Sequence, residues 1–404
     1  MKNAYIIDGT RSAIGNFKGQ LAGVRTDDLI ASVIKSLIAK NPQIPVDKID
    51  DVIIGCANQA GEDNRNIARM AALLAGLPVT IPGETVNRLC ASGMSAIAQA
   101  SRAIKSGEGD LFIAGGVEGM SRGPYVISKG ESGFDNTQKM YDSSFGWRFI
   151  NPEMEKMYGT EAMGKTAENL AEIFQISREE QDEFALNSQM KAKKAQESGR
   201  LAEEISDILI PQRKGDAIVL NKDEFIKPNS SLEILGNLKP AFVKENGSVT
   251  AGNSSGLNDG AAAVIVASED ALKEFGLKPL AKIVTSATTG CEPRIMGIGP
   301  VEATKLALKR ANLTLDQIDI IELNEAFAAQ SIAVLKELGI ANDDAKVNVN
   351  GGAIALGHPL GMSGTRITYS AALELQKSGK KYALCTMCVG VGQGCAVILE
   401  NPNV

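Results

Sequence analysis

One histidine and one tryptophan occur in 404 residues, and aromatic residues make up only 4% of the chain. A single imidazole excludes, within one chain, any site that needs two histidine ligands or two catalytic imidazoles. Forty-two Lys and Arg against 48 Asp and Glu give a net charge of −6. That excess of acid argues against a broad footprint on nucleic acid or an anionic membrane. No apolar run approaches the ~18 residues of a membrane span. The first residues, Met1-Lys2-Asn3-Ala4-Tyr5-Ile6-Ile7-Asp8-Gly9, read as a strand entering a turn, without a signal-peptide core. The expectation is a cytoplasmic protein whose six cysteines are reduced, so that their interest is chemical.

Glycine, by contrast, is abundant: 41 residues, well above the usual ~7%. Spread without low complexity, it implies many tight turns and close backbone approaches. Apolar runs alternate with helical patterns. Asp51–Cys56 predicts a buried strand, Asn66–Ala75 a helix, Glu84–Leu89 a strand, Ala91–Lys105 a helix, and Asp110–Ala114 a strand ending at Gly115-Gly116. Such alternation predicts α/β layers around a buried sheet. From about Ser121 to Thr250 the chain is richer in charge, with helical patterns over Thr166–Phe174 and Arg178–Glu197, and reads as an inserted, more exposed unit. A turn-rich segment, Gly252–Gly260, closes it. The last third echoes the first at an offset of ~260–270 residues: Ile318–Glu322 with Ile49–Ile53, Val347–Asn350 with Val86–Leu89, Tyr382–Thr386 with Leu111–Gly115. A duplicated domain follows.

Three segments combine a reactive side chain with glycine. In Asn87-Arg88-Leu89-Cys90-Ala91-Ser92-Gly93 a strand gives way to a helix whose apolar face is Met94, Ile97, Ala98 and Ile104. Cys90 at the helix N-terminus is either a buried structural thiol or a nucleophile whose thiolate the helix end favours. In Asn350–Gly361 the sole imidazole, His358, sits between Gly357 and Pro359, in a shaped turn where it could take a thiol proton. In Cys385-Thr386-Met387-Cys388-Val389-Gly390-Val391-Gly392 the C-x-x-C spacing invites zinc or redox readings, but there is no second pair and only one histidine. In a strand the two thiols face opposite sides, so one belongs to the core and the other can face a site. The glycines after Cys388 expose N–H groups able to hold an oxyanion. Asn324, in Asn324-Glu325-Ala326-Phe327, reads as a helix N-cap or as an amide that orients a water.

Taken together, Cys90-Ala91-Ser92-Gly93, Asn324-Glu325-Ala326-Phe327, Gly357-His358-Pro359 and Cys388-Val389-Gly390-Val391-Gly392 resemble the thiolase family, and the resemblance runs over nearly the whole chain. It implies a fold of two like α/β halves stacked as five layers, αβαβα, with a loop domain inserted in the first. The implied division is 1–122 plus 251–277, an inserted 123–250, and 278–404. It also implies the roles: Cys90 as nucleophile, His358 as its base, Cys388 as second acid and base. The Cys90 and Gly390 N–H groups would form one oxyanion site, with His358 and a water held by Asn324 forming the other. Ser255, Lys227, Met163, Met296 and Phe327 match positions around coenzyme A and the acyl chain. No metal and no tightly bound cofactor is implied. Coenzyme A and acyl-CoA are substrates, and a homodimer or homotetramer is expected, with neither nucleic acid nor membrane as partner.

Gly55–Asn66, Gly146-Trp147-Arg148-Phe149-Ile150-Asn151-Pro152 and Leu384–Cys388 are more narrowly similar to the 3-oxoadipyl-CoA thiolases of aromatic-compound degradation. Acetoacetyl-CoA thiolases carry a histidine just before the residue matching Met163, where this chain has Ala162. Acetoacetyl-CoA or general 3-ketoacyl-CoA cleavage is the alternative. A ketoacyl synthase of the Cys-His-Asn kind would leave Cys388 without a task. A non-catalytic acyl-CoA-binding relative would not need Cys90, His358 and Cys388 together.

Overall fold

The computed structural model describes residues 2–404. The chain opens with β1 (Ala4–Arg11), β2 (Gly15–Asn16), α1 (Thr26–Lys40), β3 (Asp51–Gly55), α2 (Ile67–Leu74), β4 (Gly83–Val86), α3 (Ser92–Ser106) and β5 (Leu111–Gly119). It then leaves the sheet for a long excursion containing β6 (Tyr125–Ile127), β7 (Met140–Asp142), α4 (Pro152–Tyr158), α5 (Met163–Ile173), α6 (Arg178–Glu197), β8 (Ile208–Ile210), β9 (Ile218–Leu220) and α7 (Leu232–Gly236). It returns as β10 (Asn258–Ser268) and α8 (Glu269–Phe275). The second half is β11 (Ala281–Gly290), α9 (Gly299–Ala311), β12 (Ile320–Leu323), α10 (Ala328–Leu338), α11 (Ala353–Leu356), α12 (Leu360–Ser378), β13 (Tyr382–Val389) and β14 (Gln393–Glu400). Among the described residues no helix is long and apolar enough to cross a membrane.

The strand order is the same in both halves. The first runs β4-β3-β5-β10-β1 and the second β12-β13-β14-β11, with Val347 bridged to Ile321 where β4 has its counterpart. The two sheets meet antiparallel through Tyr5↔Lys282 and Ile6↔Ala281. Alternation along each strand feeds two faces. Val52, Ile54, Leu111 and Ile113 pack with α1 and α2. Ile53, Phe112 and Ala114 turn instead to a central core with α3 and α12, which Ala383, Cys385 and Met387 enter from the other sheet. Leu384, Ile398, α9 and α10 build the outer core of the second half. These are five layers, helix–sheet–helix–sheet–helix, with the insertion on the first half.

Two departures from the sequence expectation have identifiable causes. β5 does not stop at Gly115-Gly116 but runs on to Gly119. There the glycines allow close approach: a Cβ at Gly115 would lie 2.5 Å from the Ala262 carbonyl, and one at Gly116 would strike the Gly361 carbonyl at the start of α12. Val347–Asn350 forms one bridge and no strand. Asn348 adopts φ +46°, and its amide serves both Leu323 N–H (2.8 Å) and Leu323 C=O (2.9 Å) in place of a ladder.

α3 and α12, one from each half, touch through small residues. A Cβ on Gly93 would come within 2.5 Å of the Gly361 carbonyl, and one on Gly364 within 2.5 Å of Met94 N. Cys90 and His358 each lie just ahead of one of these helices. The glycine contact therefore fixes how the two turns that carry them meet.

Candidate active site

Cys90 does not begin α3. It sits in a 3₁₀ turn, Leu89–Ala91, immediately before it. Leu89 is held at φ +46°, a left-handed conformation costly for a leucine. Side chains of the segment pin the turn: Leu89 N–H donates to Asn87 Oδ1 (2.9 Å), Ser92 Oγ donates to Leu89 C=O (2.6 Å), and Arg88 N–H donates to Ser92 Oγ (2.9 Å). Asn87 in turn donates to Ala57 C=O (3.0 Å). Cys90 is partly open to solvent, yet burial of its sulfur pushes its pKa up to about 11. The N–H groups of Gly390 and Cys90 itself favour the thiolate, but they do not offset the burial. The bias toward thiolate expected from a helix N-terminus is therefore overridden, and the resting group is a thiol that needs a base.

His358 is held in a tautomer that leaves Nε2 basic. Its Nδ1 lies 2.6 Å from Ser363 Oγ, and the Ser363 hydroxyl donates to Pro359 C=O (2.8 Å). The hydroxyl hydrogen is thus committed, so Ser363 accepts from Nδ1–H and Nε2 keeps its lone pair. Burial, with the positive charge of Arg366, pulls the imidazole down to about 3, so it is neutral across the physiological range. His358 N–H donates to Asn258 Oδ1 (3.0 Å), which fixes the turn.

Asn324 approaches from β12, its Nδ2 3.4 Å from His358 Nε2. It is not an N-cap, since Phe327 holds that position on α10. Its buried Oδ1 has no protein partner and is left as an acceptor for a water or a substrate group. Cys388 enters from β13, buried among Met296, Phe327, Ala326, Ala167 and Met163. Burial first, and the neighbouring Cys90 second, raise its pKa well above the ordinary thiol value. Cys385 faces the central core instead, as two residues three apart on a strand should. Gly390 follows Cys388, and a Cβ there would stand 3.1 Å from Leu89 Cδ1 and 3.9 Å from Met163 Sδ. Cys388 thus lies close enough to Cys90 to sense its charge, the Gly390 N–H bonds to Cys90, and Asn324 reaches His358.

The family model for the thiolase N-terminal domain matches residues 4–270, and that for the C-terminal domain matches 277–401. The chain belongs to the thiolase family. It is 58% identical over 401 residues to the beta-ketoadipyl-CoA thiolase of Acinetobacter baylyi, covering 99% of this chain and 100% of that one. It is 56% identical to the 3-oxoadipyl-CoA/3-oxo-5,6-dehydrosuberyl-CoA thiolase of Escherichia coli, with the same coverage. The crystal structure of the Bacillus anthracis acetyl-CoA acetyltransferase superposes with a TM-score of 0.92 at 41% identity, covering 99% of both chains.

The remaining positions singled out in this thiolase fall in two groups. Met163, Met296 and Phe327 form one apolar cluster with Cys388. Ser255 donates both its N–H (3.0 Å) and its hydroxyl (3.1 Å) to Ala326 C=O in the Asn324–Phe327 turn. Lys227 Nζ lies 3.7 Å above the Phe225 ring, and that ring packs on Gly256 beside Ser255. Burial lowers the Lys227 pKa.

Sequence reasoning missed Glu118, Ser363 and Asn258. Glu118, buried in β5, accepts N–H groups from Ala57 (3.0 Å), Asn58 (2.9 Å) and Gly361 (2.8 Å), tying the Cys90 side to the start of α12. A lone acid inside an apolar strand was the available signal. Its oxygens lie near Cys56 Sγ and an Asp63 oxygen, but each group is already engaged: Cys56 donates to Asn58 C=O (2.8 Å) and Asp63 accepts from Gly61 N–H (2.8 Å).

Proposed function

We propose that this chain catalyses the reversible, CoA-dependent cleavage of 3-oxoacyl-CoA to acetyl-CoA and a shortened acyl-CoA, with 3-oxoadipyl-CoA as substrate. The observations that support this reading are a Cys90 thiol bonded by the Gly390 N–H, a second thiol, Cys388, near enough to Cys90 to sense its charge, and a neutral imidazole, His358, whose Nε2 faces Asn324.

The steps balance on these groups. His358 Nε2 takes the Cys90 proton as the sulfur attacks the 3-keto carbon. The N–H groups of Cys90 and Gly390 hold the oxyanion. The bond between the second and third carbons breaks, leaving a succinyl thioester on Cys90 and an acetyl-CoA enolate. Protonated His358 and a water on Asn324 Oδ1 hold the enolate oxygen. Cys388 S–H protonates the enolate carbon, and acetyl-CoA leaves. The Cys388 thiolate then takes the proton of incoming CoA, whose sulfur releases succinyl-CoA, and Cys90 recovers its proton from His358. Lys227 and Ser255 face the CoA, while Met163, Met296 and Phe327 line the acyl and pantetheine path.

Both relatives named above act on 3-oxoadipyl-CoA, and Ala162 places no polar side chain before Met163. We place the protein in the cytoplasm, with no tightly bound cofactor, as a homodimer or homotetramer. The exposed apolar side chains of Tyr125, Ile127 and Met140 on the β6–β7 hairpin favour assembly. The units would be 1–122 with 251–277, the insertion 123–250, and 278–404. Thiolysis rates test the substrate: 3-oxoadipyl-CoA should be cleaved with a higher kcat/KM than acetoacetyl-CoA, and the reverse order would overturn the assignment.

A further inference from the structure

An acyl chain that ends in a carboxylate poses a physical problem for this pocket. Met163, Met296, Phe327, Ala167 and Val249 offer it no charge, and an uncompensated carboxylate is costly there. A cation must meet it.

The segment after β7 supplies a candidate. Trp147 and Arg148 are consecutive, and they bond to two different segments of the chain. Trp147 Nε1–H donates to Glu161 C=O (3.2 Å), two residues before Met163. Arg148 reaches the segment after β3, where Nη2 lies 3.4 Å from Asn58 Oδ1, and Nη1 lies 3.5 Å from Ser143 C=O. The segment after β3 is also bonded to the nucleophile's turn. Asn58 N–H is on Glu118, and its neighbour Ala57 accepts from Asn87, which holds Leu89 N–H next to Cys90.

Arg148 is half-buried, and among the described residues no carboxylate lies within 4 Å of it. Its two contacts are long and made to neutral oxygens, so most of its five N–H donors remain unused. Neighbouring guanidinium groups are engaged otherwise: Arg294 pairs with Glu161 (2.9 Å), Arg122 with Glu62, and Arg88 donates to Ser95 (2.9 Å) and Gln393 (3.2 Å). Asp63 is near enough to sense the charge of Arg148, but it is turned to Gly61 N–H.

We infer that Arg148 is the specificity residue for the distal carboxylate, taking substrates whose acyl chain ends in an anion and holding that anion while the succinyl group is on Cys90. This rests on the substrate reading above. A planar fork with free parallel donors suits a carboxylate bidentately. Arg148 touches no reacting atom.

The test compares two substrates of equal length, 3-oxoadipyl-CoA and 3-oxohexanoyl-CoA, which carries a methyl group where the first has its carboxylate. Arg148→Gln should lower kcat/KM for 3-oxoadipyl-CoA by about 10- to 100-fold. It should leave 3-oxohexanoyl-CoA within about twofold, which also reports that the variant is folded. Arg148→Lys should recover part of the loss. Equal losses on both substrates would make Arg148 a structural residue and overturn the inference. An undiminished preference for 3-oxoadipyl-CoA in Arg148→Gln would overturn it while leaving the substrate reading intact. A wild-type enzyme without that preference would overturn both.

Discussion

Replacing Gly93 with alanine should leave a folded protein with little activity. Gly93 is the second residue of α3, and its missing Cβ faces the first turn of α12. A methyl group there would lie 2.5 Å from the Gly361 carbonyl oxygen and 3.0 Å from Thr365 N. A backbone carbonyl cannot rotate aside as a side chain can. To restore ordinary contact, α12 must retreat by about 0.9 Å. His358 lies three residues before Gly361 and Cys90 three before Gly93, so the two reactive groups separate by a similar amount. Overpacking of this kind costs ~1–3 kcal/mol, and better helix propensity returns up to ~1 kcal/mol. The net loss of at most ~3 kcal/mol should lower Tm by no more than about 12 °C. A displacement near 1 Å costs about 100-fold in rate. Calorimetry and thiolysis kinetics on the same preparation read both quantities. A Gly93→Ala enzyme with unchanged Tm and kcat/KM within about threefold of wild type would refute the view that glycine contact between these helices sets the site.

Four further outcomes follow from the structure. His358 has a depressed pKa, so the rate of Cys90 acylation by acetyl-CoA should be flat from about pH 5 to 9, between the imidazole near 3 and the thiol near 11; a limb at 6–7 would contradict the burial argument. By the same sign, His358 stabilises the fold above its ordinary 6.5, and this contribution should fade as pH falls toward 3, visible as acid lability that His358→Asn reduces. Arg11, fully buried, binds Asp223 at 2.7 and 2.9 Å and Glu204 at 2.9 Å, joining the end of β1 to the insertion. Arg11→Leu leaves Asp223 without its cation and Glu204 with Arg200 alone, and should cost ~3–5 kcal/mol in urea unfolding, whereas a loss below ~1 kcal/mol would mean the pair is not needed. Cys388→Ser should slow thiolysis by about 100-fold or more while Cys90 still takes up the succinyl group of 3-oxoadipyl-CoA; unchanged thiolysis would remove the second-acid role.

Much of this was legible in the sequence because local chemistry and long-range order agree in it. Arg178–Glu197 was placed to the residue: Ser177 and Glu180 form a capping box at one end, and Gly199 follows the other. The repeat was visible in three strand echoes, and the sheets reproduce it in one strand order. Cys385 and Cys388 were separated by period-two alternation alone. What could not be read depends on distant partners. Gly115 and Gly116 looked like a strand end because their neighbours, Ala262 and Gly361, are far off in sequence. The helix-end argument for a Cys90 thiolate failed because burial by the second half outweighs two N–H groups. The His358 tautomer needed Ser363, whose spacing of five residues carries no signal until the Pro359 turn is known.

The most direct measurement is intact-protein and peptide mass spectrometry after mixing with 3-oxoadipyl-CoA in the absence of free CoA. A succinyl adduct of about 100 Da should appear on Cys90 and be lost in Cys90→Ala. Turnover without any adduct on Cys90, or an adduct on Cys388 alone, would contradict the assignment of nucleophile and acid.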